Sequence, residues 1–120
     1  MSRRDPRVYI HHMLDHAAEA LEMSRGRSRA DLDTDRMLNL SLVRLMEVVG
    51  EASRRVPHDF RSRYPDAPWH ETSDLCNRLI HAYDEVDFNT LWEIIRDEAP
   101  PLMEQLEAIL DENGRLNSDS

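Results

Sequence analysis

The sequence contains one cysteine, so it cannot close an internal disulfide. A lone thiol fits a reducing compartment, and the only bridge open to it runs to a second chain. No apolar run approaches the roughly 20 residues a membrane span needs. Met1-Ser2-Arg3-Arg4 carries charge with no hydrophobic segment behind it, so no secretory signal is expected and the cytoplasm is the default. Cations are outnumbered: 15 Lys and Arg stand against 24 Asp and Glu, giving a net charge of −9. A general polyanion binder needs a basic surface for many phosphate contacts, so DNA is not an expected partner and any contact with RNA must be local. Repeats, low-complexity tracts and strand-type alternation are all missing.

What remains suits a helical bundle. Forty per cent apolar residues, six Met and only three Gly in 120 residues allow one domain with a modest core. Asp5-Pro6 is a helix start, and Ile10, Met13, Leu14, Ala17, Ala18 and Leu21 recur at threes and fours, predicting a first helix that ends near Ser24-Arg25-Gly26. His11 with Asp15, and His12 with His16 followed by Glu19, have spacing that can hold a metal in a bundle. No matching pair occurs elsewhere, so a solvated face is the reading adopted and no metal is expected. After the polar link Arg27 to Asp33, in which Asp31 or Asp33 can cap, Leu38, Leu42, Leu45, Val49, Ala52 and Val56 predict a long helix from about Thr34 to Arg55. Gly50 inside it costs about 1 kcal/mol relative to Ala, which either marks a close approach by another helix or is merely tolerated.

Pro57 stops that helix, His58 to Tyr64 allows one short turn, and Pro65 to Pro68 breaks the chain again. A further helix is expected from Trp69 through Tyr83. Within it Asn77, Arg78 and His81 would share one side while Leu75 and Leu79 face the core. Asp84 to Asp87 is expected as an acidic loop whose Asp87 caps a last helix. That helix should kink at Pro100-Pro101 and end near Leu110. The expected architecture is all-α, an antiparallel bundle of four to five helices over residues 1–110, with 111–120 as a polar tail.

The run Asn77-Arg78-Leu79-Ile80-His81-Ala82-Tyr83, with Pro68-Trp69 before it, Asp84 to Asp87 and Leu91-Trp92 after it, and Gly50-Glu51-Ala52 upstream, resembles the signature of the HepT-like toxins of the HEPN ribonuclease superfamily. Their motif reads Arg, four residues, His, one residue, Tyr. His81 and Tyr83 match it, whereas the arginine position is Cys76. The resemblance implies a homodimer whose two motif helices form one RNA-cleaving cleft, without metal or cofactor, partnered by a minimal nucleotidyltransferase antitoxin. It implies His81 as general acid or base, Asn77 as the residue that orients it, and Tyr83 as the side chain the antitoxin modifies with AMP. A guanidinium grips phosphate with paired hydrogen bonds, and a neutral thiol does not. Losing such a donor costs on the order of a hundred- to a thousandfold in rate. Impaired cleavage is therefore expected, with Arg78 as the candidate surrogate. The alternative is a catalytically inactive protein that binds the nucleotidyltransferase and is modified on Tyr83.

Overall fold

The computed structural model describes residues 5–82 and 85–115. Helix α1, Pro6–Ser24, begins at Asp5, whose carboxylate accepts the Arg7 backbone N–H. It runs alongside α3, Arg36–Arg55, and against the last helix, α8, Ala99–Asn113. The predicted stripes form the core: Ile10, Met13 and Ala17 of α1, Leu42, Met46 and Val49 of α3, and Leu106 and Leu110 of α8 are all nearly or fully buried. Between α1 and α3 lies a one-turn helix, α2, Asp31–Thr34. The cap of α3 is therefore neither Asp31 nor Asp33 but Asp35, which accepts the Leu38 N–H.

Helix α4, His58–Arg61, is the expected short turn, with Phe60 and Tyr64 rings 5.4 Å apart. The Trp69 side chain is buried and its Nε1–H donates to the Tyr64 carbonyl, so it anchors the core. Gly50 has a positive reason to be glycine. A Cβ there would stand 3.1 Å from the Thr72 carbonyl oxygen and 3.5 Å from the Leu75 Cβ, which makes α3 the bed on which the next segment lies.

That segment departs from the single helix expected over Trp69 to Tyr83. It is two short helices, α5, Trp69–Ser73, and α6, Leu75–Leu79, followed by a small antiparallel hairpin, β1, Ile80–Ala82, and β2, Glu85–Val86. The break falls on Thr72-Ser73-Asp74, whose short polar side chains bond locally and compete with the helix ladder. Thr72 Oγ1 donates to the Pro68 carbonyl, Ser73 shares a hydrogen bond with buried Ser53, and Asp74 has φ −95° and ψ 10°. The second break follows from β-branched Ile80 pairing with Val86, closed by the Asp87 N–H donating to the Leu79 carbonyl at 2.8 Å. Asp87 then caps α7, Phe88–Glu93, as expected.

The irregularity expected at Pro100-Pro101 appears one turn earlier, as a π-helical turn over Ile94–Glu98. A proline ring clashes with the carbonyl four residues back, so the ladder opens before the prolines, which then sit comfortably in the first turn of α8. Helix α8 continues past Leu110 to Asn113, whose amide donates to the Tyr64 hydroxyl. The molecule is mostly helical, as expected, with the hairpin added. Among the described residues no helix is long and apolar enough to cross a membrane.

Candidate active site

The helix break rearranges the residues expected to share one face. Asn77 and Arg78 lie on α6, but His81 lies on β1, beyond the helix. Asn77 is exposed and donates its amide to Asp74 at 2.6 Å rather than reaching toward the imidazole. Arg78 is already engaged: its two terminal nitrogens donate to the two carboxylate oxygens of Glu98, at 2.9 and 2.7 Å. The Glu98 hydrogen bonds push the Arg78 guanidinium further above its already high range. The surrogate cation is thus held by the last residue of the π-helical turn. Tyr83 lies outside the described residues.

His81 is 54% exposed, and its Nε2 stands 3.7 Å from Asp87 Oδ2. That carboxylate is fixed before any substrate arrives, since Thr90 gives it both a backbone N–H at 3.0 Å and a hydroxyl at 2.8 Å. The Thr90 N–H, then its hydroxyl, hold the Asp87 carboxyl below the ordinary range against a smaller desolvation effect. An accessible imidazole beside a positioned carboxylate that is ionised at neutral pH can exchange a proton with a ligand at the surface. Sequence reasoning found Asp87 only as a helix cap. Its second role depends on the hairpin folding residue 87 back toward residue 81, for which the acidic run 84–87 gave no signal.

Cys76 is half-buried on α6 against the charged face of α3. Burial pushes its thiol up, Glu47 and Glu51 push the same way, and Arg54 and Arg44 oppose them. The thiol is therefore neutral near pH 7 and supplies neither a thiolate nor a cation. On α1, the His16 Nδ1–H donates to the His12 carbonyl and the two rings meet edge to face. Among the described residues no three His, Cys, Asp or Glu side chains gather in a way that could hold a metal ion. Neither the groove of about 340 Å3 between Tyr64 and Ile109 nor one of about 410 Å3 between α1 and α3 contains a residue of the segment from Trp69 to Ala82, whereas a small cleft of about 40 Å3 brings Thr72, Leu75 and Arg78 beside Glu98.

A helical bundle that presents a surface imidazole beside a fixed carboxylate is a reasonable frame for acid–base chemistry on an external ligand. Comparison with known proteins gives the frame its class. Residues 13–109 match the model of the family described as "Ribonuclease HepT-like". A protein of Methanocaldococcus jannaschii named "Putative RNase" is 31% identical over 109 residues, 91% of this chain and 100% of its own length. A "Putative RNase" of Caldanaerobacter subterraneus subsp. tengcongensis is 35% identical over 107 residues, 89% of this chain and 96% of that one. The "Probable ribonuclease HepT" of Thermococcus cleftensis is 33% identical over 100 residues, covering 80% and 91%. No solved structure matches the chain significantly. The chain belongs to the HepT-like ribonuclease family.

Proposed function

We propose that this chain is the toxin subunit of a toxin–antitoxin pair, a metal-independent endoribonuclease whose site is completed by a second copy, working in the cytoplasm without a cofactor. The observation that carries this reading is the exposed His81 imidazole facing the fixed Asp87 carboxylate. In RNA the nucleophile is already in the substrate. His81 removes the 2′-hydroxyl proton, the 2′-oxygen attacks the adjacent phosphorus, and the bond to the 5′-oxygen breaks as that oxygen takes a proton from solvent water, giving a cyclic phosphate, a free 5′-hydroxyl and a protonated imidazole that returns its proton to water. The weak point is charge stabilisation. Cys76 is a neutral thiol, and Arg78 is spent on Glu98, so the phosphorane charge lacks its cation and cleavage by this sequence is slow. Cys76→Arg should restore cleavage and His81→Ala in that background should abolish it; an active double variant refutes the assignment.

The same two observations favour a second reading, in which the chain is a catalytically inactive partner of a minimal nucleotidyltransferase that transfers AMP to Tyr83. Incubation with such an enzyme and ATP should raise the mass by one AMP in the parent chain and not in Tyr83→Phe. An unmodified parent removes this reading.

A further inference from the structure

The groove between α1 and α3 is lined by Tyr9 and His12 from α1 and by Arg44, Val48, Glu51 and Arg55 from α3. These positions follow from helical spacing: 9 and 12 are one turn apart, and 44, 48, 51 and 55 climb one side of α3. The groove is open, and its volume of about 410 Å3 falls in the ~300–1,000 Å3 range of small-molecule sites. It also borders the motif segment, because α3 packs against α5 and α6, and a Cβ on Gly50, the neighbour of Glu51, would stand 3.5 Å from the Leu75 Cβ. We propose that this groove is a binding subsite for single-stranded RNA, taking one nucleotide next to the motif, with Arg44 and Arg55 on phosphates and Tyr9 and His12 lining the seat of a base.

The chemistry is that of single-strand recognition, in which cations track the backbone and rings stack bases whatever their identity. In a chain of net charge −9, RNA must be held where cations outnumber acids locally, and along this groove Arg44, Arg54 and Arg55 stand against Glu47 and Glu51. Neither Arg44 nor Arg55 is locked in place. Arg44 is 74% exposed and 3.6 Å from Glu47, and Arg55 is 61% exposed and 3.0 Å from Glu51. Exposed pairs of this kind contribute little to stability, so exchanging a glutamate for a phosphate costs little. The bidentate Arg78–Glu98 pair, with Arg78 29% exposed, is held more firmly than either.

This inference rests on the ribonuclease reading but is tested by binding rather than cleavage, so the two can fail separately. The probe is a labelled 12-nucleotide single-stranded RNA of mixed sequence, added to the parent chain and followed by fluorescence anisotropy. Arg44→Gln with Arg55→Gln should weaken binding at least tenfold near 50 mM salt and lower the slope of log affinity against log salt by about 1.4, the loss of two phosphate contacts. Tyr9→Ala should weaken it about tenfold and Tyr9→Phe hardly at all. Arg63→Gln, outside the groove, should bind as the parent does, and cooperative circular dichroism melts show that each variant is folded, Tyr9→Ala melting lower because Tyr9 also packs against the core. The proposal is overturned if the parent binds no RNA, if the double arginine variant binds it equally well, or if an acidic peptide of equal charge displaces the RNA as efficiently as unlabelled RNA does. Cleavage that survives His81→Ala would instead strike at the ribonuclease reading and leave these affinities to decide the groove.

Discussion

Helix α3, paired with α1, and the segment from Trp69 to Leu79 that lies on it are shaped by different forces. The helix pair is decided by periodic apolar burial: Met13, Leu42 and Met46 are at most 1% exposed, and each contributes through area removed from water. The motif segment has the same apolar spacing at Leu75 and Leu79, yet its course is decided by polar groups. Thr72, Ser73 and Asp74 break the helix, and the backbone bond from Asp87 to Leu79 folds the hairpin. Periodicity fixes which side of a segment faces inward. Where short polar side chains cluster, local hydrogen bonds fix how far the segment stays helical, and in this molecule the candidate base His81 lies beyond that limit.

If this contrast is right, truncation should be most costly in the helix pair. Leu42→Ala removes a fully buried side chain and should cost about 3 kcal/mol, lowering the melting temperature by roughly 10 °C. A much smaller loss would mean that α3 is less tightly packed than described. Gly50→Ala probes the seam between the regions. The gain of about 1 kcal/mol in helix propensity should be outweighed by the contact with the Thr72 carbonyl, so the variant should melt lower than the parent. A higher melting temperature would show that α5 yields readily. Within the motif segment, Glu98→Gln should cost at most about 1 kcal/mol, less in high salt, because the Arg78 pair is partly exposed.

The smallest effects are those of pH on the helix starts and turns. Four carboxyls titrate below the ordinary range: Asp5 through the Arg7 side chain, Asp31 through the Ser28 N–H, Asp35 through the Arg27 side chain and Asp87 through the Thr90 N–H. A carboxyl depressed in the folded state stabilises above its unfolded value, and that stabilisation fades as pH falls through the folded value. Melting temperature should therefore hold from pH 7 to 5 and decline below about 4. Asp35→Asn, which keeps a capping side chain, should make the decline shallower. A flat profile would deny these carboxylates their role.

The sequence was most legible where one force dominated. The start of α1 at Asp5-Pro6, the stripe of α3 and the cap at Asp87 were all readable, because each depends on neighbours within a turn or two. The expected helix through Tyr83 failed because apolar spacing at 75 and 79 says nothing of competition from Thr72, Ser73 and Asp74. At the site, His81 and Cys76 were legible as residues but not as surroundings. The Glu98 grip on Arg78 spans twenty residues and depends on the π-helical turn, and the approach of Asp87 to His81 depends on the hairpin. Neither feature has a periodic trace.

The central claim is that His81 supplies the acid–base group for RNA cleavage and that the residue at position 76 limits it. Its most direct test compares cleavage of one labelled single-stranded RNA by the parent, Cys76→Arg, and Cys76→Arg with His81→Ala. The account predicts that the first substitution raises the rate by about a hundredfold or more and that the second returns it to background. A Cys76→Arg protein no faster than the parent, or a double variant that still cuts, would contradict it.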